Sequence, residues 1–91
     1  METSGSFGTT RRKRRKRLHL YLINDDYNTF DYVIDCLRNV LPMCNILLAE
    51  QFAMIVHNAG EVELYSGYGN DVYIKYAQLQ KLGLNVNIKT K

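Results

Sequence analysis

The sequence predicts an α+β two-layer sandwich: a three-stranded antiparallel sheet covered by three helices, in the order β-α-α-β-α-β. Two observations carry this. Stretches near residues 18–23, 61–64 and 84–89 alternate apolar and polar side chains, the period of a half-buried strand. Between them, apolar residues recur at helical spacing over roughly residues 28–41, 45–59 and 70–82. Strands with one apolar face need a cover, and amphipathic helices supply it.

The first strand puts Leu18, Leu20 and Leu22 on one face and His19, Tyr21 and Ile23 on the other. It stops at Asn24-Asp25-Asp26. Asn28 is placed to cap the first helix, with Asp31 in the reciprocal position and at the helix's positive end. Phe30, Val33, Ile34, Leu37, Val40 and Leu41 follow at helical spacing, and Pro42 stops them. Asn45 can cap a second helix with the stripe Leu48, Ala49, Phe52, Ile55 and Val56, and Gly60 suits its left-handed end. Val62 and Leu64 alternate with Glu61 and Glu63 in the second strand, and SGYGND (residues 66–71) reads as a glycine-broken loop. Asn70 or Asp71 can cap a third helix that runs through Leu82 and closes at Gly83. In the last strand Leu84, Val86 and Ile88 alternate with Asn85, Asn87 and Lys89.

Ninety-one residues suit one folded domain, and 46% hydrophobic content fits a globular one. The net charge of +3 hides a division. Residues 11–17 read RRKRRKR, so residues 1–17 hold seven bases against one acid, whereas residues 18–91 hold five bases against eight acids. The expected organisation is a disordered basic extension over 1–17 and a folded, mildly acidic domain over 18–91. The apolar runs are too short to cross a bilayer, no signal-peptide core follows the basic run, and a cytoplasmic location is expected. With only Cys36 and Cys44, a disulfide framework is not expected. The basic run suggests polyanion binding, but the domain does not interleave clustered Lys/Arg with aromatics, so a dedicated nucleic-acid surface is not expected.

The soft ligands His19, His57, Cys36 and Cys44 lack the paired spacings of a zinc site, and no cofactor is implied. Catalysis would need a nucleophile or an oriented acid–base pair, and neither is visible around Asp25, Asp26 and His57. Turn chemistry accounts for one Asx residue at the end of a strand, not for Asn24, Asp25 and Asp26 together. An amide oxygen, carboxylates and a neutral imidazole nitrogen are all acceptors, which is what an ammonium group with its three donors requires. The residues therefore point to a cation or amine site.

NDDYNTFDYVIDCL followed by a second helix ending in VHNAG resembles ClpS, the adaptor family of the Clp AAA+ protease that recognises N-degrons. The resemblance runs from about residue 18 to the C-terminus and is most specific at NDDY and VH. It implies a non-enzymatic adaptor that binds substrate proteins beginning with Leu, Phe, Tyr or Trp and delivers them to a Clp unfoldase of the ClpA or ClpC type. By the same resemblance, Asn24, Asp26 and His57 would hold the α-ammonium and Asp25 the first peptide units. Asn28, Phe30, Val33, Ala53, Val56 and Leu84 would line the side-chain pocket. Ala53 and Phe30 stand where many members have methionine, and the extension is unusually basic. The alternative reading is a small RNA- or ribosome-associated protein acting through that extension.

Overall fold

The structure, a computed structural model, describes residues 16–90. The expectation of disorder over residues 1–17 falls outside the described residues for 1–15, and of the two that are described, Arg17 donates to the Ser66 hydroxyl at 3.2 and 2.9 Å. Six elements follow in order: β1 (Leu18–Ile23), α1 (Phe30–Val40), α2 (Ile46–Ala59), β2 (Glu61–Gly67), α3 (Asn70–Lys81) and β3 (Val86–Thr90). This is the expected β-α-α-β-α-β sandwich. The sheet is antiparallel throughout with β1 in the centre, in the order β2-β1-β3.

Register explains which faces are greasy. Leu20 and Leu22 of β1 sit opposite Tyr65 and Val62 of β2, and opposite Ile88 and Val86 of β3. All of these therefore share the inner face with Leu18. A bulge interrupts β2, where Leu20 pairs with Tyr65 and Tyr21 with Glu63, leaving Leu64 as the extra residue. The bulge turns both Leu64 and Tyr65 towards the core. On the outer face Tyr21 is still only 8% exposed. The Lys89 ammonium covers its ring at 4.3 Å and pairs with Glu61 at 2.9 Å.

The core lies between the sheet and the helices. Ile34, Leu37 and Leu41, Ala49, Ala53 and Val56, and Val72 and Leu79 meet Leu18, Leu20 and Leu22. Each fully buried leucine contributes about 1.5–3 kcal/mol of transfer free energy. Cys36 and Cys44 are both buried and unbridged, and burial pushes both thiols up. Within α2 the stripe differs from expectation. Ala53 is buried, while Ile55 is exposed, because the inward line at helical pitch runs 49, 53, 56.

Helix termini separate what local chemistry settles from what it does not. Asn45 caps α2 as expected, its Oδ1 accepting from the Leu48 amide at 2.9 Å, and Gly60 closes that helix at φ 91°. The cap of α1, however, is Thr29 rather than Asn28: the Thr29 hydroxyl accepts from the Tyr32 amide at 3.1 Å. Asn28 is withdrawn from that duty by the preceding loop. Neither Asn70 nor Asp71 caps α3. β2 continues through Ser66 and Gly67, which the expected loop had included, so the chain must turn sharply at Gly69 (φ 68°) and enter the helix at Asn70. Asp71 instead accepts from the Tyr65 hydroxyl and from Lys75. α3 ends at Lys81 rather than Leu82, and β3 starts at Val86, with buried Leu84 just ahead of it.

Candidate functional site

The site begins where β1 runs out. The Ile23 amide donates to the Asn85 carbonyl at 2.8 Å, and the Asn24 amide donates to the Gly60 carbonyl at 2.9 Å. The strand end is thus clamped between the start of β3 and the C-terminus of α2. That second bond places Asn24 beside the last turn of α2, which carries His57.

Asp25 organises the loop that follows. Its Oδ1 accepts from the Tyr27 and Asn28 amides at 3.0 and 2.9 Å, and its Oδ2 accepts from the Asn28 side-chain amide at 2.9 Å. Burial alone would raise this carboxyl, but the bonds from Asn28 and Tyr27 outweigh it and hold Asp25 below the ordinary value of 3.8. Asn28 also donates to the Gly83 carbonyl at 3.1 Å, tying the loop to the turn ahead of β3. The outcome is a rigid Asx-type turn with Asp25 facing inward and Asp26 exposed beside it. Among the described residues, no side chain or backbone group bonds the side chains of Asn24, Asp26 or His57, all of which are exposed.

These residues meet around one cleft of about 280 Å³, lined by Asn24, Asp25, Asp26, Asn28, Phe30, Val33, Ala53, Val56 and His57. Every polar and apolar residue anticipated from the sequence is therefore gathered there, with one exception. Leu84 lies deeper, in an adjoining cavity of about 30 Å³ shared with Leu22, Ile23, Val33 and Val56. Leu22 and Ile23 carry no signal of such a position in the sequence. They read as ordinary strand residues, and only the pairing of β1 with its neighbours brings them under the cleft. Phe30 is 42% exposed at the rim, while Ala53 and Val56, at 2% and 6%, form the floor.

The chemistry is that of a small amphipathic socket. Its mouth offers acceptors: two carboxylates, an amide oxygen and an imidazole nitrogen. Its floor is aliphatic, and Phe30 adds an aromatic ring at the rim. A volume near the lower end of the roughly 300–1,000 Å³ range of ligand pockets suits a single amino-acid side chain. Among the described residues, no group of three or more His, Cys, Asp or Glu gathers as a metal-binding set, and no helix is long and apolar enough to cross a membrane.

Comparison with known proteins places this architecture. Residues 13–86 match the family described as ATP-dependent Clp protease adaptor protein ClpS. The ClpS adapter of Nostoc sp. is 30% identical over 77 residues, covering 85% of this chain and 79% of that protein. The Synechocystis sp. adapter is 30% identical over 78 residues, covering 86% and 80%. Among solved structures, Agrobacterium tumefaciens ClpS2 bound to L-phenylalaninamide superposes with a TM-score of 0.76 at 20% identity, over 86% of this chain and 100% of that one. At that identity the superposition speaks for the fold. The family match and the relatives together show that the chain belongs to the ClpS family, the adaptors of the ATP-dependent Clp protease.

Proposed function

We propose that this adaptor binds the free amino terminus of proteins whose first residue is bulky and hydrophobic (Leu, Phe, Tyr or Trp) and hands them to a Clp unfoldase of the ClpA or ClpC type. The observation that carries the reading is the cleft itself, in which ammonium acceptors ring the mouth of a single-residue apolar socket. Asn24, Asp26 and His57 hold the α-ammonium, and their side chains have no competing internal bonds among the described residues. Asp25 acts mainly by fixing the turn, with one lone pair of Oδ2 left for the first peptide N–H. Phe30, Val33, Ala53 and Val56 enclose the side chain, Asn28 sits at its edge, and Leu84 backs the socket from below. The ligand in the Agrobacterium structure has the matching chemistry, an aromatic side chain beside a free amine.

On this reading the chain is a binding adaptor rather than a catalyst, it works in the cytoplasm, and the extension over residues 1–17 serves the delivery step. The test is acetylation. A Phe-initiated peptide with an acetylated amine loses its charge and donors, and each bond lost to a charged group costs about 1.5–3 kcal/mol. Affinity measured by fluorescence anisotropy should fall at least about tenfold. Equal binding of free and acetylated peptides would reject the assignment.

A further inference from the structure

The cleft does not end at Asn28. That residue also borders a shallow, open trough of about 350 Å³, lined by Tyr27, Asn28, Thr29 and Tyr32. Tyr27 is 93% exposed, and Tyr32 is 40% exposed although its hydroxyl donates to the Leu82 carbonyl at 2.5 Å. That bond occupies the phenol's one donor and fixes the ring, so Tyr32 offers a ligand mainly an aromatic face. Tyr27 is held through its backbone, its amide donating to Asp25 Oδ1 at 3.0 Å.

Continuity with the cleft determines what reaches the trough. On the function proposed above, on which this inference rests, the α-ammonium lies at Asn24, Asp26 and His57 and the first peptide N–H at Asp25 Oδ2. That same oxygen holds the Asn28 side chain at 2.9 Å. The bound chain therefore runs from the ammonium acceptors past Asp25 towards Asn28, and the trough is the next surface it meets. Side chains of an extended segment alternate in direction. With residue 1 pointing into the floor, residue 2 points to solvent, and residue 3 returns to the surface about 7 Å further on.

Charge selects the side chain. Residues 24–37 hold four aspartates and no lysine or arginine. Asp31 precedes Tyr32 and Asp35 follows it by three residues on the same helix, and both are exposed. Among the described residues, no base pairs with Asp26, Asp31 or Asp35. Exposed ring faces beside unneutralised carboxylates favour a flat cation. We propose that the trough of Tyr27 and Tyr32 is a subsite for the third residue of the substrate and prefers arginine there, its guanidinium laid on the tyrosine faces. Lysine, compact and more strongly hydrated, gains less, and glutamate is repelled.

Fluorescence anisotropy on the full chain, with peptides that begin Phe-Ala and differ only at residue 3, tests this. At low salt, arginine at residue 3 should bind about five-fold tighter than alanine, and glutamate weaker than alanine. Arginine moved to residue 2 should give a smaller gain. At about 0.5 M salt the advantage of arginine over alanine should fall to about two-fold, the part that stacking supplies. Tyr27→Ala should lower that ratio to about two-fold or less and Tyr27→Phe should keep it, with melting temperatures unchanged because the side chain is exposed. Equal affinity for all three residues, a gain from residue 2 as large as from residue 3, tighter binding of phenylalanine than arginine at residue 3, or a ratio untouched by Tyr27→Ala would each overturn the proposal. Acetylated Phe-Ala-Arg peptide separates this inference from the reading beneath it. If acetylation weakens binding about tenfold while residue 3 makes no difference, the subsite alone fails. If free and acetylated peptides bind alike, the amine site fails and the subsite with it.

Discussion

Replacing Ala53 by methionine probes the socket at its floor. Ala53 is 2% exposed and lines both the cleft and the core cluster, so three added heavy atoms must go either into the roughly 280 Å³ socket or into packed protein. The socket is the open direction. A methionine there would narrow the floor where a first residue branched at Cβ needs its width, while a planar Phe ring slides past more easily. Apolar sites discriminate at about 1–3 kcal/mol per methylene, so the affinity for Ile-initiated peptides should drop about 10- to 100-fold relative to Phe-initiated ones. The wild type, with alanine at this position, should by the same reasoning bind Ile-initiated peptides measurably. The assay is anisotropy with two peptides differing only in residue one, alongside a melting curve. If the Ile-to-Phe ratio is unchanged and the melting temperature falls, methionine has overpacked the core, and Ala53 is no determinant of selectivity. If ratio and stability both stay put, the socket does not receive the first side chain.

Two further outcomes test the loop and the extension. Asp25→Ala strips the acceptor from the Tyr27 and Asn28 amides and the Asn28 side chain. With water partly replacing it, the cost should be about 1–2 kcal/mol, or roughly 10 °C in melting temperature for a chain of this size. Because folding lowers the Asp25 pKa, its stabilisation is present above the ordinary value of 3.8 and lost as pH falls through the lowered folded value. The wild-type advantage over Asp25→Ala should therefore be flat from about pH 7 to 5 and shrink below about pH 4; an advantage that persists undiminished at about pH 2.5 would contradict the role. Removing residues 1–15 leaves Arg17 free to keep its bonds to Ser66 at 3.2 and 2.9 Å. That truncation should leave peptide affinity unchanged and abolish degradation of a Phe-initiated substrate by a Clp unfoldase and its protease, and full degradation would show the extension to be dispensable.

Much of the fold was legible because the relevant forces act over a few residues. Alternation at Leu18, Leu20 and Leu22, the Asn45 cap and the left-handed Gly60 all depend on neighbours in the chain, and all stand where the pattern put them. The misreadings share a different cause. Asn28 is as good a cap as Thr29 in isolation, and only its bonds to Asp25 and to the Gly83 carbonyl, 55 residues away, take it out of that role. The bulge at Leu64 and the extension of β2 through Gly67 follow from pairing with β1, which no local signal in residues 61–67 announces.

For the site, the sequence by itself determined the inventory: adjacent acceptors at the end of a strand, a histidine at the end of a helix, and apolar residues at helical spacing. Side-chain type and short-range order are intrinsic to the chain, so a cluster of hydrogen-bond acceptors beside an apolar stripe could be read without coordinates. What only the tertiary structure decided is the enclosure. The bonds from Asn24 to Gly60 and from Ile23 to Asn85 bring residues 24–30 and 53–57 around one cleft and put Leu84 beneath it rather than in it. The physical reason is that these are long-range contacts, fixed by how the sheet and helices close over a shared core, and a linear pattern holds no distance between residues that meet only when the chain folds.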